Sequence, residues 1–191
     1  MKKEAKSAAA AAAAAPASLP SPKRIRVAIV EDHTLMREGL AQLVNSQPDM
    51  TVIVEAGDAA SGLSGILQAQ PDLALVDITL PGRNGLELVK DVVAQMPKLP
   101  ILVVSMHDET LYAERALKAG AKGYLMKYSD KATIVSAIRR ILAGGFFVSD
   151  KMAGEIFSSF AGKTGAKTGD TTGGSVSKLS DREFEVFEHL G

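Results

Sequence analysis

The chain has 191 residues, 46% of them hydrophobic, which suits one globular domain with a buried core plus a smaller additional segment. Its 22 basic and 22 acidic residues cancel, so composition argues against an extensive basic surface for nucleic acid. Cysteine is absent, which excludes disulfides, thiolate metal sites and thiol catalysis and is consistent with a cytoplasmic protein. No apolar run reaches about 18 residues, so no membrane partner is expected.

The first 24 residues differ in composition from the rest of the chain. They contain eight consecutive alanines, from Ala8 to Ala15, followed by prolines at 16, 20 and 22. The alanine run lacks the larger apolar residues of a signal peptide, and Glu4 interrupts the basic start. We therefore predict a disordered, low-complexity tail over residues 1–24.

From Ile25 onward, short β-branched runs alternate with amphipathic helical patterns. Strands are predicted at 25–30, 51–56, 73–76, 101–104 and 123–126. Helices are predicted from Thr34, at 59–69, at 85–95, at 110–119 and after a cap at Ser129 or Asp130. The first of these helices is expected to place four residues on its inward face: Leu35, Leu40, Leu43 and Val44.

This alternation predicts an α/β fold. Its core is a doubly wound, five-stranded parallel sheet of the flavodoxin-like kind, with strand order 2-1-3-4-5. In such sheets, functional residues gather beyond the carboxyl ends of the strands.

The chain beyond residue 145 divides into two further parts. Residues 146–178 are predicted to form a short helix, near 152–160, followed by a flexible linker rich in Gly, Thr, Lys and Ser. Residues 179–191 begin a new helix, since Ser180 and Glu183 have the spacing of a capping box.

Polar residues follow four of the five predicted strands. Glu31 and Asp32 come after the first, Asp77 after the third, Ser105 after the fourth and Lys127 after the fifth. Three carboxylates at one sheet edge repel one another unless a cation lies between them, and hard oxygen ligands suit Mg²⁺. A nearby ammonium and hydroxyl would meet the oxygens of a phosphoryl group, with Asp77 as the nucleophile.

With these residues in place, the chain resembles the response regulator receiver family of two-component signalling over residues 25–145. Four segments carry the resemblance: VEDH at 30–33, VDITLPG at 76–82, VS at 104–105 and GYLMK at 123–127. The segments 31–40, 80–85 and 120–127 are most similar to the NarL/FixJ subfamily.

The resemblance implies a role for each site residue. Asp77 would be the phosphoacceptor, phosphorylated by a sensor histidine kinase, and Lys127 and Ser105 would contact the phosphoryl oxygens. The Mg²⁺ ligands would be Glu31, Asp32, Asp77 and the backbone carbonyl of Thr79. Such a receiver catalyses only its own phosphorylation and dephosphorylation, so we do not class the chain as an enzyme.

The resemblance also implies a conformational switch. On phosphorylation Ser105 would move inward, and Tyr124, three residues before Lys127, would turn into the vacated space. Tyr128 stands where many receivers have proline, and Thr79 and His107 flank the predicted phosphoryl site.

The segment KLSDREFEV at 178–186 resembles the opening of a LuxR-type helix-turn-helix domain. A complete protein of this kind would bind promoter DNA and is expected to form a homodimer on phosphorylation. The recognition helix is absent from this sequence, so the 191 residues alone are expected to bind DNA only non-specifically.

Two other functions are compared with this one, and the sequence argues against the second. The chain could be a stand-alone receiver that acts as a phosphate sink or a protein-interaction switch. It could also be a phosphohydrolase of the haloacid dehalogenase kind, but those enzymes need a second acid two residues after the nucleophile, where this sequence has Thr79.

Overall fold

The structure is a computed structural model that describes residues 23–149 and 152–154. Five strands alternate with five helices along this part of the chain. The strands are β1 (Ile25–Val30), β2 (Met50–Ala56), β3 (Leu73–Val76), β4 (Ile101–Ser105) and β5 (Gly123–Met126). The helices are α1 (Thr34–Asn45), α2 (Ala59–Ala69), α3 (Gly85–Gln95), α4 (Glu109–Ala119) and α5 (Lys131–Leu142).

The strands form one parallel sheet with the order β2-β1-β3-β4-β5, which confirms the predicted topology. β1 and β3 are neighbours in this order, and β4 lies on the other side of β3. The carboxyl ends of these three strands therefore meet at one edge, where Glu31, Asp77 and Ser105 were predicted to come together.

The sheet is covered on both faces, because its strands are apolar on both sides. One buried cluster joins alternate strand residues such as Val30, Val76 and Val103 to residues of α2, α3 and α4. The other joins Ile29, Leu75 and further strand residues to α1 and α5.

Local signals fix the ends of the helices. The carboxylate of Asp130, one of the two predicted caps, accepts a hydrogen bond from the Thr133 N–H at 2.7 Å and so begins α5. Asp58 caps α2 in the same way. α4 ends at Gly120, whose positive φ of 107° is the left-handed conformation that favours glycine.

The predicted inward face of α1 was wrong for one residue. Leu40 and Val44 are buried as expected, but Leu35 is 74% exposed. Leu35 precedes Val44 by nine positions, which at 3.6 residues per turn places it about 180° around the helix from that residue.

The chain after α5 continues to contact the sheet. The backbone N–H of Tyr124 donates to the Phe147 carbonyl at 2.8 Å, and the Phe147 N–H donates to the Lys122 carbonyl at 3.0 Å. Met152 is buried in the same cluster as Tyr124. Residues beyond the predicted boundary at 145 thus cover the outer edge of β5.

Within the described residues, no helix is both long and apolar enough to cross a membrane. Four predicted features lie wholly or largely outside the described residues: residues 1–22 of the tail predicted at 1–24, most of the helix near 152–160, the linker and the capping box at Ser180.

Candidate functional site

Three carboxylates lie together beyond the ends of β1 and β3. Oxygen atoms of Glu31, Asp32 and Asp77 are within 4.8 Å of one another. Glu31 and Asp77 are buried, with 1% and 3% of their surface exposed, whereas Asp32 is exposed. The predicted acidic cluster is therefore present, with two members in the protein interior and one facing solvent.

Lys127 connects the two buried carboxylates. Its Nζ atom donates to Glu31 Oε1 at 2.7 Å and to Asp77 Oδ2 at 2.8 Å. The Lys127 side chain is only 7% exposed, so solvent screens these ion pairs weakly. The backbone N–H of Lys127 donates to the Ser105 carbonyl at 2.8 Å, which fixes the residue beside the end of β4.

The second carboxylate oxygen of Asp77 has no partner. Oδ1 is buried and makes no hydrogen bond, although buried polar atoms are nearly always paired. Asp77 also lines an open cavity of about 700 Å³, whose wall includes Asp32, Thr79 and Lys127. One oxygen of the predicted nucleophile is thus held by an ammonium, and the other is left available.

The electrostatics of the site follow from burial and from this ion pairing. Burial raises the pKa values of Asp77 and Glu31, and the hydrogen bonds from Lys127 oppose that rise. Burial alone would lower the pKa of Lys127, but its bonds to Asp77 and Glu31 outweigh burial and raise it. The Lys127 ammonium therefore stays charged. It offsets only part of the cost of burying the two carboxylates.

The described residues fit a divalent cation at this point. Carboxylate oxygens are the ligands that Mg²⁺ prefers, and two or three of them in one cluster are typical of its sites. The unpaired Oδ1 of Asp77 is a buried acceptor oxygen that no protein group satisfies and that can serve as a cation ligand. A cation there would also reduce the repulsion among the three carboxylates.

Ser105 and Tyr124 both hydrogen-bond to the backbone of His107. The His107 N–H donates to Ser105 Oγ at 3.2 Å, and the Tyr124 hydroxyl donates to the His107 carbonyl at 2.8 Å. Both side chains are fully buried. Burial raises the pKa of the Tyr124 hydroxyl, and a hydrogen bond with Ser105 opposes that rise.

Thr79 and His107, which flank the predicted phosphoryl site, contact each other. Thr79 Oγ1 and His107 Nε2 are 3.0 Å apart, within hydrogen-bond distance, and the His107 ring packs on Tyr112 at 4.5 Å between centroids. Thr79 and His107 both line the cavity, and so does Tyr128, which is 73% exposed.

Gly85 contributes to the site in a way that the sequence analysis missed. A Cβ atom at this position would lie 1.8 Å from the Asp77 carbonyl oxygen, and the Gly85 N–H donates to the Ile78 carbonyl at 2.7 Å. The first turn of α3 therefore lies directly against the backbone of the predicted phosphoacceptor. A glycine at a helix start is the sequence signal, but it is common elsewhere and so is not specific.

Comparisons with known proteins identify the family of the chain. Residues 27–139 match the family model of the response regulator receiver domain. The oxygen regulatory protein NreC of Staphylococcus carnosus (strain TM300) is 31% identical over 163 residues, which cover 85% of this chain and 75% of that protein. The transcriptional regulatory protein DegU of Brevibacillus brevis is 30% identical over 137 residues, which cover 72% of this chain and 58% of that protein.

Among solved structures, the chain is similar to a two-component response regulator of the LuxR family from Aurantimonas sp. SI85-9A1. The TM-score is 0.67 at 35% sequence identity, and the match covers 73% of this chain and 99% of that one. The chain therefore belongs to the response regulator receiver family of two-component signalling, within its NarL/FixJ subfamily.

Proposed function

We propose that this receiver accepts a phosphoryl group on Asp77 from the phosphohistidine of a sensor histidine kinase, in a reaction that requires Mg²⁺. The observation that supports it best is the state of the Asp77 carboxylate. It is 97% buried, Lys127 holds Oδ2, and Oδ1 is unpaired beside an open cavity.

The proposed reaction forms one bond and breaks one. An Asp77 carboxylate oxygen attacks phosphorus, the phosphorus–nitrogen bond of the phosphohistidine breaks, and the leaving imidazole nitrogen takes a proton from water. Lys127 and Ser105 would donate hydrogen bonds to the phosphoryl oxygens and so neutralise charge in the transition state. Attack of water on the aspartyl phosphate would later restore the carboxylate.

The acidic residues would hold the cation that this transfer needs. Glu31, Asp32, Asp77 and the backbone carbonyl of Thr79 are the proposed Mg²⁺ ligands. When bound, Mg²⁺ offsets the repulsion between the carboxylates and the incoming phosphoryl group. This proposal is supported by the cluster within 4.8 Å and by the unpaired Oδ1.

Phosphorylation would then alter the surface around α4 and β5. A phosphoryl group adds charge and three acceptor oxygens, which would draw the Ser105 hydroxyl toward them. Ser105 and Tyr124 both hydrogen-bond to the backbone of His107, so a movement of Ser105 would be passed to the buried tyrosine through His107. Tyr124 also bonds through its backbone to Phe147, in the chain segment that leads away from the receiver.

In the whole protein, this switch would control a LuxR-type DNA-binding domain and hence transcription. The support is the subfamily of the receiver together with the sequence at 178–186. The complete protein would bind promoter DNA and would form a homodimer when phosphorylated.

Intact-mass analysis after incubation with acetyl phosphate and MgCl₂ tests the phosphorylation step. We expect one phosphoryl adduct on the wild type and on Asp91→Asn, a surface aspartate variant, but none on Asp77→Asn or without Mg²⁺. If the folded wild type gains no adduct, or if Asp77→Asn gains one, the proposed function is wrong.

A further inference from the structure

The loop that carries Glu31 and Asp32 is held by a side chain from the helix that follows it. Arg37 Nη1 donates to the Glu31 carbonyl at 2.6 Å and lies 3.4 Å from the Asp32 carbonyl, which also accepts from it. One guanidinium nitrogen thus contacts the backbone of both acidic residues.

Arg37 is itself firmly placed. Its backbone N–H donates to the His33 carbonyl at 3.0 Å, in the first turn of α1. The side chain is partly buried and folds back along the helix toward the loop, close to Gly57 at the end of β2. A guanidinium stays charged at all relevant pH values and has several donors in a rigid plane, so it can hold carbonyl groups permanently.

The three carboxylates differ in what fixes their direction. Lys127 holds the side chains of Glu31 and Asp77. Within residues 23–149 and 152–154, the Asp32 carboxylate has no hydrogen-bond or ion-pair partner. Its direction therefore depends on the backbone that carries it, and Arg37 holds that backbone.

We propose that Arg37 is a positioning residue for the cation site: it fixes the Glu31–Asp32 backbone so that the exposed Asp32 carboxylate points at the same place as Asp77. This inference rests on the proposed function, since it assumes that the acidic cluster binds Mg²⁺. Arg37 does not touch the cation or the phosphoryl group in this account. Partners that orient metal ligands typically change metal affinity by about 10–100-fold when they are removed.

The test uses the 191-residue chain and titration with MgCl₂ alone, followed by NMR amide shifts of residues 31–33 and 77–79. Arg37→Met retains most of the aliphatic stem but removes every donor, so we expect its Kd for Mg²⁺ to rise about tenfold or more. Arg37→Lys retains a charged donor and should recover part of that loss. Arg140→Met, on the exposed surface of α5, is the matched control and should leave the Kd unchanged.

Two further readouts separate positioning from general damage to the fold. Without Mg²⁺, the amide hydrogens of Asp32 and His33 should exchange faster in Arg37→Met, while those of β1 should not change. At saturating MgCl₂, the rate of phosphorylation by acetyl phosphate should return to within about twofold of the wild type. A high Mg²⁺ concentration fills the site even when its affinity is reduced.

A failure of the Arg37 proposal gives different results from a failure of the proposed function. A wild type that neither binds Mg²⁺ nor gains a phosphoryl group overturns the proposed function itself. If the wild type does both, a Kd within twofold of wild type in folded Arg37→Met overturns the role of Arg37. A phosphorylation defect that persists at saturating MgCl₂ also overturns it, because Arg37 would then act on the transfer step. If Arg37→Met does not fold, the same measurements are made on Arg37→Lys. A Kd and an amide exchange rate equal to those of the wild type in Arg37→Lys then refute the proposal.

Discussion

Removing the Lys127 ammonium should strongly destabilise the fold near neutral pH. In Lys127→Met, the carboxylates of Glu31 and Asp77 lose ion pairs at 2.7 and 2.8 Å and remain buried. At an effective dielectric constant of about 20, each contact corresponds to about 6 kcal/mol of Coulomb energy, much of it offset by the desolvation of the charges. Removing one partner of a buried pair typically costs about 3–5 kcal/mol, which is a large part of the 5–15 kcal/mol that stabilises an ordinary domain.

The assay is urea unfolding of Lys127→Met beside Lys118→Met. Lys118 pairs with Glu114 at the same 2.7 Å distance, but the two side chains are 69% and 58% exposed. Exposed pairs contribute about 0–1 kcal/mol, so Lys118→Met shows what the loss of a lysine ion pair of similar length costs when the pair is exposed. We expect a loss of about 3–5 kcal/mol for Lys127→Met and less than about 1 kcal/mol for the control.

The stability that is lost in Lys127→Met should depend on pH and on Mg²⁺. The folded-state pKa values of Glu31 and Asp77 lie above their usual values of 4.5 and 3.8. The fold therefore binds more protons than the unfolded chain between the usual and the raised values, and stability falls as pH rises through that window. Without Lys127 both pKa values should rise further, so the deficit of Lys127→Met should shrink as pH falls, and MgCl₂ should stabilise this variant more than the wild type.

A loss below about 1 kcal/mol at neutral pH would refute the reasoning, since it would show that the two buried carboxylates do not depend on the ammonium. So would a deficit that stays constant as the carboxylates become protonated.

Three further substitutions test the site. Asp77→Asn should raise the free energy of unfolding at neutral pH, because burial raises the Asp77 pKa and so disfavours its ionised form, while Lys127 keeps its ion pair with Glu31. The gain should vanish below about pH 3.8, where the carboxyl is protonated in both the folded and the unfolded chain. Tyr124→Phe removes the buried hydroxyl that donates to the partly buried His107 carbonyl, so urea unfolding should show a loss of about 0.5–1.5 kcal/mol. Gly85→Ala places a Cβ atom 1.8 Å from the Asp77 carbonyl oxygen, so we expect a loss of about 3 kcal/mol or more, with slower phosphorylation.

Matched variants make these outcomes decisive. Gly39→Ala, in α1, has nothing within 4 Å of the new Cβ atom and should be neutral or stabilising by up to about 1 kcal/mol. Tyr128→Phe, at a side chain that is 73% exposed, should change stability by less than about 0.5 kcal/mol. Equal effects within either pair, or a destabilised Asp77→Asn, would contradict the packing and charge arguments.

Much of the fold could be predicted because each element carries a local signal. β-branched runs such as 25–30 mark the buried strands, and residues such as Asp130 mark helix starts, so the order of the sheet followed from right-handed crossovers. The exposed Leu35 shows the limit of this approach. Helical spacing places Leu35 opposite Val44, so the error was to assign this apolar residue to the core because of its type, whereas it lines the cavity.

The members of the site were predictable, but their contacts were not. Strand ends and residue types pointed to Asp77 and Lys127, because parallel strands bring their carboxyl ends to one edge. That Lys127 holds only one Asp77 oxygen, or that Arg37 holds the acidic loop, depends on side-chain directions that no spacing rule gives. Gly85 matters for the same reason, since its close approach to Asp77 exists only in three dimensions.

Mapping the phosphorylated residue tests the central claim most directly. Borohydride reduces an aspartyl phosphate to homoserine, so the wild type should be treated with acetyl phosphate and MgCl₂, reduced, digested and sequenced by mass spectrometry. We expect homoserine at position 77 and unmodified acids at 31 and 32. Modification at Glu31 or Asp32, or at no residue of a folded protein, would contradict it.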